Sequence, residues 1–266
     1  MSEDASNRQR RLAAVLRAAG DVVRATDVQT ALGIERTHAS QLLAAWHKQG
    51  VVRRVARGVY VPVSPESLDR EQVLADPWVL VPELYKQGYV GGWSALEHWE
   101  LTEQLFRSLC ILSAARSRRG NVKVQGVNFY VKPVSEKTMF GIKSVWREGK
   151  RIPISDPHKT ILDVINDVYI GGGVQHAIDC MREFKKLYGK PGDLEKLFDY
   201  AVQFENGSLI KKLGFLGAYL KFEESFVRAC AERLSNGYAY LDKSSADNKL
   251  VTRWRLWVPR DIGNDY

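Results

Sequence analysis

Residues 26–63 read TDVQTALGIERTHASQLLAAWHKQGVVRRVARGVYVPV, and this stretch decides the amino-terminal fold. Behind Thr26, a residue suited to an N-cap, Val28, Ala31 and Leu32 share one face until Gly33 interrupts, which predicts a two-turn helix. Residues 35–49 predict another helix, with Ala39, Leu42, Leu43 and Trp46 inward and Gly50 closing it. Two helices spaced around a glycine in this way form a helix-turn-helix. The alternating segments 51–55 and 59–63, joined through Ala56, Arg57 and Gly58, predict a hairpin. Upstream, Leu12, Val15, Leu16 and Ala19 give residues 8–19 the period of an amphipathic helix ended by Gly20, and Val22-Val23 is strand-like. Residues 1–63 are therefore expected to form a winged helix-turn-helix.

The outer face of the third helix opens with Arg36, Thr37, His38, Ser40 and Gln41. Such short or hydrogen-bonding side chains can meet base edges in a major groove. Arg53, Arg54 and Arg57 fall on the wing, where guanidinium groups can grip phosphate or enter the minor groove. A formal net charge of +8 across 266 residues favours polyanionic partners, nucleic acid first. Double-stranded DNA is thus the expected partner. A tri-helical docking unit with solvated arginines is the competing reading of the same residues.

Beyond it, residues 64–76 hold prolines, serines and alternating charges and read as a linker. Residues 77–170 read as an α/β region. A helix is expected over 77–85, a turn at Gly88, Gly91 and Gly92, a short helix over 94–100, and strands over 108–114, 122–125, 127–131 and 141–146. Ser155-Asp156-Pro157 opens a helix whose inner face is Ile161, Leu162 and Ile165. Residues 171–266, behind the triple glycine 171–173, read as mainly helical over 177–187, 194–203, 209–220 and 222–234, with a closing strand over 251–258. The fold class is α+β: an amino-terminal winged helix-turn-helix, a mixed α/β region with a small antiparallel sheet, and a mainly helical carboxy-terminal part.

Three widely separated cysteines, Cys110, Cys180 and Cys230, suit reduced, buried thiols better than a disulfide framework. The polar first residues lack the apolar run of a secretion signal, and no later stretch approaches a membrane span, so a cytoplasmic protein without membrane contact is expected.

The chain resembles the AbiEi-type antitoxins, transcriptional repressors of type IV toxin-antitoxin or abortive-infection operons. The residues that carry the resemblance are Arg57-Gly58-Val59-Tyr60, the run from Gly92 to Trp99 (GWSALEHW), the run from Ser155 to Asp163 (SDPHKTILD), and Lys212-Leu213-Gly214-Phe215-Leu216. None of these is a catalytic signature. The resemblance implies binding to inverted repeats in the chain's own promoter through the amino-terminal domain, and neutralisation of a nucleotidyltransferase-like toxin that needs the carboxy-terminal region. It leaves direct contact with that toxin open.

Other chemistry finds little support. The five histidines, His38, His47, His98, His158 and His176, never pair at metal-ligand spacing and no Cys-x-x-Cys occurs, so no metal is expected. Gly171 to Gly173 lacks a following Gly-Lys-Ser/Thr, and the glycines at 88–92 do not form a dinucleotide fingerprint, so no cofactor is expected. Asp156, His158 and Lys159 hint at a nuclease or hydrolase, but a capped helix start accounts for them, and the reading is not an enzyme. The tryptophans Trp93, Trp99, Trp146, Trp254 and Trp257 read as core. The loop 116–119 and Lys185, Lys186, Lys211 and Lys212 read as solvated basic surface, with a nucleic-acid or toxin-facing role as the sharper alternative. Three functions compete with the repressor-antitoxin: a plain transcriptional regulator, an interaction protein that sequesters a partner with DNA binding secondary, and a DNA-targeted enzyme.

Overall fold

The computed structural model describes residues 2–19, 22–56, 58–63, 76–115, 119–124 and 126–262, with backbone alone for 2–9 and 56. The expected linker, apart from Asp76, and Gly20 lie outside these residues. The amino-terminal unit comprises α1 (Ser2–Ala19), β1 (Val23–Arg24), α2 (Ala25–Leu32), α3 (Arg36–Lys48), β2 (Val52–Ala56) and β3 (Val59–Pro62), with the strands in the order β1-β3-β2. Val15, Val23, Val28, Ala39, Leu43, Trp46, Val52 and Tyr60 form its core. Gly33 ends α2 in the left-handed region at φ 61°, a conformation that glycine adopts without steric cost. Thr26 is not the N-cap of α2. Arg24 takes that position and Asp27 accepts its N–H at 2.7 Å, so the helix begins two residues earlier and Thr26 lies within it.

The body is built on a six-stranded sheet. A 3-10 turn (Pro77–Leu80) capped by Asp76 leads into α4 (Val81–Leu84), β4 (Gly88–Val90) and α5 (Gly92–His98). Then come β5 (Ser108–Ser113), β6 (Gly120–Val124), β7 (Val127–Pro133), β8 (Ile142–Arg147) and β9 (Lys150–Ser155). The order is β6-β7-β5-β4-β9-β8. Three antiparallel ladders, β6·β7, β4·β5 and β8·β9, are joined by parallel pairs β5·β7 and β4·β9. The α+β class holds, and two elements are new. Gly88 to Val90, expected as a turn, is a central strand, because a Cβ at Gly88 would lie 3.1 Å from the Leu112 carbonyl and one at Gly91 2.5 Å from Leu112 Cδ1. These glycines allow close approach of neighbouring chain rather than reversal. Strand β9 was hidden by Pro153, which is tolerated because β4 pairs with β9 only at Val90↔Ile154.

Helices α6 (Pro157–Asn166), α7 (Val174–Tyr188), α8 (Pro191–Gln203), α9 (Gly207–Tyr219) and α10 (Glu224–Glu232) pack into one large apolar cluster that also takes in Leu96 and Leu101. Every residue from Pro157 to Ile165 is buried, so α6 is the central helix of this layer. Asp156 caps it, accepting the Lys159 N–H at 2.9 Å, as the sequence implies.

The expected closing strand over 251–258 is instead a hairpin, β11 (Asn248–Val251) and β12 (Leu256–Pro259), folded on the 3-10 turn Thr252–Trp254 and Arg255 at φ 48°. With β10 (Ala239–Tyr240) it forms its own sheet, order β10-β12-β11. The break drives Trp254 fully into the core against Gly214 of α9, where an added Cβ would sit 2.1 Å from Trp254 Cζ3. Gly214→Ala is therefore expected to destabilise the chain by about 1–3 kcal/mol through overpacking. A denaturant midpoint unchanged from wild type would show that the indole has room to move.

Much of the presumed basic surface is structural. Lys211 and Lys212 are buried, and Lys212 Nζ donates to the carbonyls of Ile165 at 3.2 Å and Asn166 at 3.0 Å, closing the end of α6. Lys211 serves the Gly237 carbonyl at 2.9 Å and Lys185 those of Leu220 and Lys221. Lys186 pairs with Glu183 on the same helix. Of the tryptophans, Trp93 and Trp254 are buried, Trp99 and Trp257 are half-buried, and Trp146, expected in the core, is 69% exposed because β8 is an edge strand. All three cysteines are free and buried, and burial pushes the Cys180 and Cys230 thiols up to about 12.

Candidate nucleic-acid interface

Helix α3 divides cleanly. Ala39, Leu43 and Trp46 anchor it to the core, while Arg36, Thr37, His38, Ser40 and Gln41 are all exposed. The five expected recognition residues are thus brought together on the outer face of its first two turns. Ser40 Oγ donates to the Arg36 carbonyl at 2.9 Å, which leaves its lone pairs outward as acceptors. Glu35, at the N-cap, makes no side-chain cap hydrogen bond. First-turn N–H groups without a side-chain cap, beside Arg36, favour an anion by the helix dipole and by direct donation.

The wing is tied to this helix, since His47 Nδ1 lies 3.2 Å from the Val52 carbonyl and the His47 ring meets Tyr60 edge-on. Arg53 and Arg54 are both exposed, but they do not form one cluster. Arg54 pairs in register with Tyr60 and Arg53 with Val61, and successive strand residues point to opposite faces. Arg54 therefore shares the face of the helical core and Arg53 the opposite one. Arg57 lies outside the described residues.

That opposite face carries the feature the sequence reading missed. Val22, Val59 and Val61 do not join the amino-terminal core; they pack with Trp78, Leu80 and Val81 in the cluster beneath the main sheet. Arg24 pairs with Glu83, whose other oxygen is 3.6 Å from Lys150 Nζ. Strand β3 is thus covered on both sides, while Arg53 and Arg54 of β2 stay exposed. The signal was legible in principle: Val59-Tyr60-Val61 and Val22-Val23 are continuous apolar runs, the mark of a strand covered on both faces, where an exposed wing alternates.

The acid, base and lysine of the run from Ser155 to Asp163 occupy a sealed polar layer. Asp156, besides capping α6, receives Lys196 Nζ at 2.9 Å and Tyr200 OH at 3.2 Å. His158 Nε2 is 3.1 Å from Asp193 Oδ1, and burial holds its pKa below the ordinary histidine value. Lys159 pairs with Asp163, donates to Tyr89 OH at 3.0 Å, and lies 4.3 Å from the Phe204 ring centroid. Burial lowers its pKa while Asp163 opposes the shift. Asp156, His158 and Lys159 are at most 4% exposed, so these groups organise α6 and are closed to a substrate. Among the described residues no group of three or more His, Cys, Asp or Glu side chains could hold a metal ion, and no helix is long and apolar enough to cross a membrane.

Three helices, a hairpin wing and a polar face on the third helix define a winged helix-turn-helix of the kind found in transcriptional regulators. Residues 10–63 match the family model described as "Transcriptional regulator, AbiEi antitoxin", so the amino-terminal unit is similar to that family over the winged helix-turn-helix. The solved structure of the RV2827C protein from Mycobacterium tuberculosis is similar over 95% of this chain and 91% of its own, at 13% identity and a TM-score of 0.58, a likeness of fold. No curated protein matches the chain.

Proposed function

We propose that the protein is a sequence-specific repressor of its own operon that binds inverted repeats in its promoter, and that it acts as antitoxin to a nucleotidyltransferase-like toxin. The observation that carries the reading is the division of α3, whose inner face is anchored by Ala39, Leu43 and Trp46 while five polar residues stand together outside. The family match over the same residues supports a regulatory role. Arg53, Arg54 and the uncapped start of α3 supply phosphate contacts and counterion release, the polar face supplies discrimination, and occupancy of the promoter excludes polymerase. The domain plan that goes with this assigns residues 1–63 to DNA, 64–76 to a linker, 77–170 to an α/β middle region, and 171–266 to the antitoxin role.

The test is a mobility shift of the full chain on its own upstream DNA, competed with random duplex and titrated with salt. Specific binding is expected, and Arg53→Ala should reduce the slope of log affinity against log salt by about one. Binding indifferent to sequence would overturn the repressor reading. Growth rescue of cells expressing the adjacent toxin checks the antitoxin role separately, and failure to rescue would reduce the protein to a plain regulator.

A further inference from the structure

A cleft of about 460 Å³ opens between β7, the 3-10 turn Val168–Gly171, α9 and the loop after β10, remote in sequence from the winged unit. Its walls carry four cations, Arg119, Lys132, Lys212 and Lys243, against two carboxylates, Asp167 and Asp242. Both carboxylates are already engaged. Asp167 accepts Arg119 at 2.9 Å, Lys132 at 3.0 Å and the Tyr169 N–H at 3.2 Å, while Asp242 Oδ1 takes the Ser244 N–H at 2.8 Å and its hydroxyl at 2.7 Å. Lys243 has no ion-pair partner among the described residues. Lys212, 7% exposed, spends two of its three N–H donors on the carbonyls at the end of α6 and has no carboxylate partner. Burial above all, with the neighbouring Lys132 and Lys243, lowers its pKa to about 8 against the opposing pull of Asp167 and Asp242.

At the rim stands an aromatic ring in an unusual position. Tyr169 is 56% exposed and lies beside the Arg119 guanidinium, 5.4 Å from the ring centroid, with Tyr130 behind it. The ring is held by a cation and a second, tilted ring, and more than half of the residue stays open to a planar ligand. The volume falls in the range of small-molecule sites, and Lys212 lies too deep for a duplex surface to reach.

We propose that this cleft binds a nucleoside di- or triphosphate, its phosphate chain among Lys132, Lys212 and Lys243 and its base on Tyr169. Lysines act here as point charges on phosphate, and stacking adds the preference for a nucleotide over bare phosphate. The site shares no residue with the winged unit and stands whether or not the DNA reading does.

Calorimetric titration of the full chain with ATP, GTP, pyrophosphate, adenosine and a short single-stranded oligonucleotide tests it. ATP or GTP is expected to bind, pyrophosphate more weakly, and adenosine not at all. Lys243→Ala should weaken both the nucleotide and pyrophosphate about tenfold. Tyr169→Ala should weaken the nucleotide about five- to tenfold and leave pyrophosphate unchanged, a split that a general loss of folding would not produce. Since both side chains are at the surface, circular dichroism should show the variants folded. No nucleotide binding at about millimolar concentration, binding unchanged in Lys243→Ala, or an oligonucleotide bound more tightly than any mononucleotide would overturn the proposal.

Discussion

Asp163→Ala is expected to lower the stability of the folded chain by about 3–5 kcal/mol, the largest loss among single substitutions on the body. The carboxylate is 3% exposed and is held from both sides, by Lys159 Nζ and by Tyr89 OH at 2.9 Å, and both partners are themselves fully buried. Removing it leaves an ammonium among Tyr89, Phe140 and Phe204 with only ring faces and one phenol oxygen for company. The expected signature is dependence on pH. Burial already depresses the Lys159 pKa, and without Asp163 the depression deepens. The folded variant then binds fewer protons than the unfolded chain, so its stability rises with pH toward the ordinary lysine range, 10.5. Replacing both charges, Lys159→Met with Asp163→Leu, should recover most of the loss, because an apolar pair avoids the desolvation cost. Urea denaturation at several pH values measures all three chains. An Asp163→Ala midpoint equal to that of wild type would mean that water reaches the pair and that the layer is not sealed.

Gln41→Ala and Arg36→Ala are each expected to weaken binding to the specific operator by about ten- to a hundredfold, with a much smaller loss on random duplex. Both side chains are exposed on α3, so the fold should survive their truncation. A bidentate contact from glutamine or arginine to a base edge carries about 1–3 kcal/mol of discrimination, and this is lost only where the right base is present. Competition binding against operator and random DNA measures the ratio. Equal losses on both would assign these residues to the phosphate backbone and remove α3 as the reading element.

How legible these sites were follows from the range of the interactions that make them. The helix-turn-helix was readable because its information is local: Gly33 must stand where the chain turns left-handed, and Ala39, Leu43 and Trp46 recur at the helical period. The cap of α6 was equally local, since Asp156 bonds an amide three residues on. Thr26 misled because two residues in one short segment could cap, and Asp27 reached back to the Arg24 amide first. The lysines of the carboxy-terminal part misled more deeply. A Lys-Lys pair looks like surface in any composition, yet Lys211 and Lys212 serve carbonyls 26 and 46–47 residues away.

By itself, then, the sequence determined the winged unit, the exposed polar face of its third helix and the succession of helices, because periodicity, caps and turns act over a few residues. Only the tertiary structure decided that the wing's second face lies against Trp78, Leu80 and Val81, and that Arg53 and Arg54 point apart. It also decided that the acid, base and lysine of α6 are sealed, and that four cations from distant segments line one cleft around two occupied carboxylates. The physical reason is common to all of these. Burial and charge balance are properties of which segments meet, and that meeting is settled by long-range packing that no local pattern encodes.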